Sequence, residues 1–192
     1  IRGNISEIKT LASLCGTQEK NSGNMAVSDT MDVEKITDKS DHCGKITGID
    51  GSGRGVDADN ADTVTEENLA QHISNAKMLS KKLQTIVAIT GAIDLVTDGS
   101  SCYVIRNGNP QMGHVTGAGC QLSGILTAFL AANPENKLQA AAAAVCMMGY
   151  AGELAAEKSG QSGSGTYRVS LMDAVSCMDG DILERGARYE IR

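Results

Sequence analysis

The sequence has 192 residues, of which 41% are hydrophobic and 3% aromatic, and its formal net charge is −6 at pH 7. This size and apolar content suffice for the core of one domain, built mainly from aliphatic side chains and methionine. The acidic balance argues against a nucleic-acid-binding surface, which needs clustered lysine and arginine. No apolar run approaches the ~20 residues of a membrane-spanning helix. We therefore expect neither nucleic acid nor a membrane as a partner.

Six cysteines are spread along the chain without a C-x-x-C pair. Such spacing is typical of reduced thiols in a cytoplasmic protein and argues against a disulfide scaffold. His42 and Cys43 are adjacent, but no second ligand pair accompanies them, so a metal site there is disfavoured.

The N-terminal residues predict a short helix followed by a surface insertion. Asn4 or Ser6 can cap a helix whose apolar positions lead to Gly16, where a glycine favours its end. Residues 17–53 are rich in Asp, Lys, Ser, Gly and Asn and show no apolar period. This composition predicts a partly disordered insertion on the surface.

The middle of the chain predicts a helix, a buried strand and a pair of short strands. Residues 63–83 have helical apolar spacing, with Thr63 and Glu66 as a capping box. The run TIVAIT over 85–90 predicts a buried strand. DLVTDG and SCYVIRNG predict two paired strands, because Asp98-Gly99 and Asn107-Gly108 are typical turn dipeptides.

The C-terminal half predicts mainly helices. MGHVTGAGC is expected to be a short strand running into a loop, followed by helices over 120–132, 137–158 and about 169–178. Helices alternating with strands favour an α/β fold with a mostly parallel sheet.

The string HVTGAGC places a glycine-rich loop directly before a helix. The N-terminus of a helix presents unpaired N–H groups, and glycines let an anion approach the backbone closely. The residues Gly117, Ala118, Gly119 and Cys120 can therefore form a pocket for a phosphate group or a developing oxyanion. A tight strand-to-helix turn with a buried cysteine would explain the same residues, so this motif alone does not decide.

Four strings occur in order: RGNISE at the N-terminus, TGAIDLVTDG, VTGAGCQLSG and GSGTYRVSLMDAV. Together they resemble the hydroxyethylthiazole kinases of thiamine salvage, a branch of the ribokinase-like superfamily. The resemblance covers residues 1–16 and about 54–179. Cys120 sets it apart from ribokinase-like sugar kinases, which have an aspartate base after the G-x-G motif.

The resemblance implies ATP-dependent phosphorylation of the hydroxyl of 4-methyl-5-(2-hydroxyethyl)thiazole. By the same resemblance, Arg2 and Thr90 bind ATP and Gly117 contacts the thiazole within the anion hole. Cys120 lies beside the substrate hydroxyl, either as a weak base or only to orient it. Phosphoryl transfer depends mainly on positioning and charge stabilisation, so a weak base can suffice.

Further implications concern the metal, the assembly and the extent of the fold. Asn4 and Glu7 match the N-x-x-E motif that organises Mg²⁺, and the family assembles as homotrimers. Family members are longer at the N-terminus, so the resemblance implies one ribokinase-like domain over 1–192 that lacks the first part of the fold. Two alternatives stay open: a truncated, non-catalytic homologue that binds nucleotide, and a ribokinase-like enzyme with another small substrate.

Four side chains have simpler explanations than catalysis. His72 and His114 are expected to be surface or packing residues. Turn chemistry accounts for Asp94, which follows the strand over 85–90, although the resemblance leaves a minor nucleotide-side role open. Glu153 lies on a predicted helix with a like charge four residues on and is expected to be solvated.

Overall fold

Residues 1–15 and 63–192 are described by a computed structural model. The predicted insertion over 17–53, including His42 and Cys43, lies outside the described residues. The cysteines within the described ranges are all free thiols: Cys15, Cys102, Cys120, Cys146 and Cys177.

The described residues form five strands and six α-helices, with three of the strands consecutive in the chain and the last four α-helices consecutive. The strands are β1 (Arg2–Gly3), β2 (Val87–Ile89), β3 (Asp94–Thr97), β4 (Cys102–Ile105) and β5 (Tyr189–Ile191). The helices are α1 (Ile5–Leu14), α2 (Leu69–Leu83), α3 (Ala118–Ala132), α4 (Lys137–Ser159), α5 (Ser164–Ser176) and α6 (Gly180–Gly186), with a 3₁₀ helix over Pro110–His114.

The five strands form one mixed sheet in the order β1-β2-β3-β4-β5. β1 pairs with β2 in parallel, whereas the pairs β2–β3, β3–β4 and β4–β5 are antiparallel. The α/β class is confirmed, but in the described residues the sheet is not mostly parallel as predicted. The reason is the short connections on either side of β3, which can join only antiparallel neighbours.

The hairpin between β3 and β4 follows from its turn residues, as predicted. Asp98 Oδ1 accepts hydrogen bonds from the backbone N–H of Ser100 at 2.8 Å and of Ser101 at 2.9 Å. Gly99 has a φ of +92°, a conformation that glycine adopts without steric cost. Asn107-Gly108, predicted as a turn, follows β4 and lies beside the candidate site.

Both faces of the sheet are covered by helices. On one face Ala88, Val96 and Ile105 pack with buried residues of α3, α4 and α5. On the other face Leu95 and Val104 pack with buried residues of α1 and α2. Because side chains alternate along a strand, coverage on both faces explains why β2 and the middle of β3 and β4 are apolar.

α4 is the central helix of the larger core. Its small alanines allow close packing against the sheet and the neighbouring helices, and Met147 and Met148 are buried within it. Among the described helices it is also the one long and apolar enough to cross a membrane, and 67% of that apolar window is buried inside the fold. A core helix passes the same test of length and composition.

Several predicted elements differ in the structure. The helix predicted from residue 63 begins at Leu69, and Thr63 and Glu66 form no capping box. Instead, Asn68 Nδ2 donates to the Thr63 carbonyl, and Asn68 Oδ1 accepts from the Thr65 N–H. These bonds hold residues 63–68 in a non-helical turn, and Glu66 is left to pair with Arg106.

The other differences lie in the second half of the chain. MGHVTGAGC contains no strand, because Asn109 Oδ1 accepts from the Gln111 N–H and starts the 3₁₀ helix, with Pro110 as its first residue. The C-terminal helix begins at Ser164 rather than near 169. α6 and β5 were not predicted.

Candidate functional site

Arg2 links three elements at one end of the sheet. Its Nη2 donates to Thr90 Oγ1 at 3.3 Å and its Nη1 donates to Ser123 Oγ at 3.4 Å. Because β1 and β2 run in parallel, their carboxyl ends meet at the same edge, where the Thr90 N–H donates to the Gly3 carbonyl. The carboxyl edge of a parallel pair is where α/β folds place ligands. Arg2 and Thr90, both predicted to contact ATP, are therefore brought together.

The first turn of α3 lies against the guanidinium group of Arg2. Gly117 is its N-cap with a φ of +90°, so this position favours glycine. Ala118, Gly119 and Cys120 are the first three helical residues, and intrahelical acceptors do not reach the N–H groups that open a helix. A guanidinium group beside the positive end of a helix is an arrangement suited to binding an anion.

A cavity of about 540 Å³ opens beside Arg2. The residues that matter for its chemistry are Arg2, Thr90, Asp94, Asn107, Ala118 and Gly119. The buried Nε of Arg2 has no hydrogen-bond partner within the described structure. A buried N–H donor without a partner costs free energy, and a bound anion would remove that cost.

Cys120 and Gly117 do not line this cavity. The helical spacing of α3 turns Ala118, Gly119 and Leu122 towards it, and Cys120 lies on the exposed side of the same turn. The four residues of the predicted anion hole thus lie together at the start of α3. Of these four, Ala118 and Gly119 line the cavity.

Asn4 and Glu7 form the N-terminal capping box of α1. Asn4 Oδ1 accepts from the Glu7 N–H at 2.9 Å, and Glu7 Oε2 accepts from the Asn4 N–H at 2.8 Å. Within the described residues no three His, Cys, Asp or Glu side chains cluster as a metal site. Mg²⁺ at nucleotide sites is held by one or two carboxylates together with phosphates and water. Glu7 Oε1 takes no part in the cap, and neither Asn4 nor Glu7 is among the residues that line the cavity beside Arg2.

Asp94 is a buried carboxyl group that sequence reasoning undervalued. It is the first residue of β3, and its Oδ1 accepts from the Gly91 N–H at 2.8 Å, so turn chemistry is part of its role. Burial raises the pKa of Asp94 to about 7, against the lowering effects of the Gly91 hydrogen bond and the charge of Arg2. It also lines the cavity beside Arg2.

Glu153, predicted to be solvated, is instead the centre of a polar cluster at the wall of the cavity. Its Oε1 accepts from Asn107 Nδ2, the Gly108 N–H and Arg188 Nη2, and its Oε2 accepts from Arg188 Nη1 at 2.7 Å. Burial raises the pKa of Glu153, but these hydrogen bonds together outweigh it and hold that pKa below its ordinary value.

The two histidines that were weighed against catalysis lie outside the cavity lining. His72 is buried on α2, where it is a packing residue as expected. His114 ends the 3₁₀ helix and is exposed.

The sequence matches one known protein family over most of its length. The profile of the hydroxyethylthiazole kinase family matches residues 26–181, a range that includes Thr90 and the start of α3. The chain belongs to the hydroxyethylthiazole kinase family. The resemblance seen in the sequence motifs is thereby confirmed.

Individual members of the family show the same relationship. A hydroxyethylthiazole kinase of Clostridium acetobutylicum is 46% identical over 141 residues, which cover 73% of this chain and 52% of the relative. One of Desulfovibrio desulfuricans is 36% identical over 157 residues, covering 77% of this chain and 54% of the relative. The chain therefore spans about half the length of the curated relatives it matches.

A solved structure shares the fold. The hydroxyethylthiazole kinase protein of Pyrococcus horikoshii OT3 matches with a TM-score of 0.59 and 28% identity, over 64% of this chain and 47% of that one. The chain and this solved structure therefore share a fold over the matched part.

Proposed function

We propose that this chain contributes the phosphate-binding part of a hydroxyethylthiazole kinase. The reaction transfers the γ-phosphoryl group of ATP to the hydroxyl of 4-methyl-5-(2-hydroxyethyl)thiazole, in thiamine biosynthesis or salvage. One observation carries the proposal: Arg2, hydrogen-bonded to Thr90, lies against Gly119 in the first turn of α3, at the edge of a cavity. This places a fixed positive charge beside the N–H group of Gly119, which has no acceptor within the helix.

The first turn of α3 has two sides suited to two substrates. On the cavity side, Arg2 and Thr90 would hold the nucleotide phosphates, and the N–H groups at the helix start would receive the γ-phosphoryl group. On the exposed side, Gly117 and Cys120 would meet the thiazole alcohol. The phosphoryl group would then move across the helix start between two fixed substrates, and positioning of this kind lowers the barrier substantially.

Cys120 would orient the acceptor hydroxyl on this scheme. The transition state of phosphoryl transfer is loose, so the alcohol keeps its proton until late in the reaction. A thiol that accepts a hydrogen bond from that hydroxyl is sufficient, and its effect on turnover is expected to be modest.

Mg²⁺ is proposed as the cofactor, because it neutralises phosphate charge when bound to ATP. Glu7 would take part through Oε1, and Asn4 through the cap that fixes the Glu7 carboxylate. The support for these two residues is their position directly after β1, on the same segment as Arg2.

A homotrimer in the cytoplasm is proposed from family resemblance. Two features of the surface support self-association and a reducing compartment. Val169 and Met172, three residues apart on α5, are 62% and 48% exposed and present an apolar face. The described cysteines are free thiols.

The test is a coupled assay of ADP release by this chain with ATP and Mg²⁺, with and without the thiazole alcohol. Thiazole-dependent release, lost in Arg2→Gln and retained in the control Arg168→Gln, would support the proposal. Arg168 is a suitable control because it is exposed on α5, away from the cavity lining.

Two other results would support a different function. Nucleotide binding without release from any alcohol would identify a non-catalytic nucleotide-binding homologue. Release with a different small alcohol but not with the thiazole would identify a related kinase of other specificity.

A further inference from the structure

A carboxyl group faces the cavity that the proposed nucleotide site occupies. Asp94 is 9% exposed and lines this cavity together with Arg2 and Thr90. It lies on the same face of β3 as Val96, whose neighbours are buried residues of α3 and α4. Its hydrogen bond from Gly91 engages Oδ1, so Oδ2 is the oxygen that can take up a proton.

On β1, Arg2 is the charged residue that acts on Asp94. Its positive charge lowers the pKa of the Asp94 carboxyl group, but burial raises that pKa by more. From α4 it meets Cys146, whose own thiol pKa is raised to about 12 by burial and by the charge of Asp94, so that thiol is neutral. α2 packs on the opposite face of the sheet.

From the end of β4, Arg106 lines the same cavity, but its charge is already balanced. Arg106 pairs with Glu66 and with Glu190, each at 2.8 Å. The cavity-lining residues of α3 are the uncharged Ala118, Gly119 and Leu122. Among the charged residues that line this cavity, Asp94 and Arg2 are therefore the two opposite charges that are not balanced by an ion pair.

A bound phosphate would change the balance between these two groups. It would compete with the carboxylate for Arg2 and would add negative charge close to Asp94. A like charge nearby favours the neutral form of a carboxyl group. Because Asp94 titrates near neutral pH, with a pKa of about 7, a small change in its surroundings suffices to protonate it.

We propose that Asp94 takes up one proton from solvent, at Oδ2, when a nucleotide phosphate binds beside Arg2. The phosphate then replaces the carboxylate as the counter-charge of Arg2. Asp94 is a positioning residue that makes nucleotide affinity depend on pH. This inference rests on the proposed function for the identity of the anion.

The test is calorimetric titration of the chain with ADP in buffers of different ionisation enthalpy, at pH 7, 7.5 and 8. In this range the phosphate has passed its own ionisation near pH ~6. We expect proton uptake to rise towards one per ADP as the pH rises, with Kd increasing up to about tenfold per pH unit above pH 7.

Asp94→Asn removes the charge at this position and keeps its hydrogen bond within the fold. Asparagine keeps an acceptor for the Gly91 N–H, and it is neutral like the protonated carboxyl group. This variant should bind ADP at pH 8 about tenfold more tightly than the parent, without proton uptake. The control Asp181→Asn changes an exposed carboxylate on α6 and should keep the uptake of the parent.

The remaining outcomes are distinct. ADP binding by the parent without proton uptake, or equal uptake by Asp94→Asn, would overturn the role of Asp94 and leave the nucleotide site standing. Absence of ADP binding by both proteins at every pH would overturn the nucleotide site itself, and this inference with it.

Discussion

Arg2 fills the space that a side chain at Gly119 would need. A β-carbon at Gly119 would lie 2.8 Å from Nη2 and 3.2 Å from Nη1 of Arg2. The absence of a side chain at this point of α3 therefore lets the guanidinium group lie against the backbone at the start of the helix. The glycine-rich motif and the N-terminal arginine, which are far apart in the sequence, form one surface.

Gly119→Ala should weaken nucleotide binding while leaving the fold intact. The methyl group would displace the end of the flexible Arg2 side chain, which can move without disturbing the core. Alanine in a helix is favoured over glycine by up to ~1 kcal/mol, so stability should hold or rise. Nucleotide affinity, measured by calorimetry with ADP, should fall at least tenfold.

Gly124→Ala is the matched control in the same helix, because a β-carbon there meets no atom within 4 Å. It should give the same gain in helix stability with unchanged affinity. Equal affinity in the two variants would show that the contact between Arg2 and Gly119 does not form the binding surface.

Cys120→Ser should keep nucleotide affinity and lower turnover only modestly. Cys120 is exposed and lies outside the cavity lined by Arg2 and Thr90, so it should not affect the phosphate contacts. Calorimetry with ADP should give a Kd within about twofold of the parent, and kcat for the thiazole alcohol should fall less than tenfold if the thiol only orients the hydroxyl. A large loss of affinity would mean that the nucleotide binds on the exposed side of α3.

Local sequence signals predicted the elements that short-range chemistry determines. The turn at Asp98-Gly99 formed as expected, because the Asp98 side chain bonds to backbone two and three residues on. The N-x-x-E spacing of Asn4 and Glu7 also has a local meaning, since the two residues cap α1. Asn4 was predicted as a cap of this helix, but the part of Glu7 in the capping box was not predicted.

Other features depend on residues that are distant in the chain. Glu153 was expected to be solvated because Glu157 follows it by one helical turn, yet its partners Asn107 and Arg188 lie 46 and 35 residues away. β5 was not predicted, because the apolar–polar–apolar alternation of its three residues is too short a signal and the strand depends on pairing with β4. Motif resemblance pointed to Arg2 and Thr90, which the structure brings together, whereas the burial of Asp94 was not predicted.

Gly149→Ala should destabilise the protein. A β-carbon at Gly149 would lie 2.7 Å from the carbonyl oxygen of Asn107, which is backbone and cannot rotate away. Asn107 is itself fixed, because its side chain donates to the Gly186 carbonyl and accepts from the Arg188 N–H. Overpacking of this kind costs about 1–3 kcal/mol in the free energy of unfolding, measured by urea titration.

The control for Gly149→Ala is Gly165→Ala in α5, where a β-carbon would meet no atom within 4 Å. This variant should be at least as stable as the parent. If Gly149→Ala matched it, the loop after β4 would have to be free to move away from α4.

Glu153→Gln should weaken the fold at neutral pH and reduce its sensitivity to acid. The pKa of Glu153 lies below its ordinary value, so the charged form stabilises the folded state above the ordinary range near pH ~4.3 and this stabilisation is lost as the pH falls through the folded pKa. We expect a loss of about 1–3 kcal/mol at pH 7, because Arg188 and the Gly108 N–H would lose a charged acceptor. Urea unfolding at pH 7 and pH 4 should show that difference shrinking in acid. Glu157→Gln, an exposed change one helical turn away, should leave both values unchanged, and a constant difference at the two pH values would rule out the charge of Glu153 as the cause.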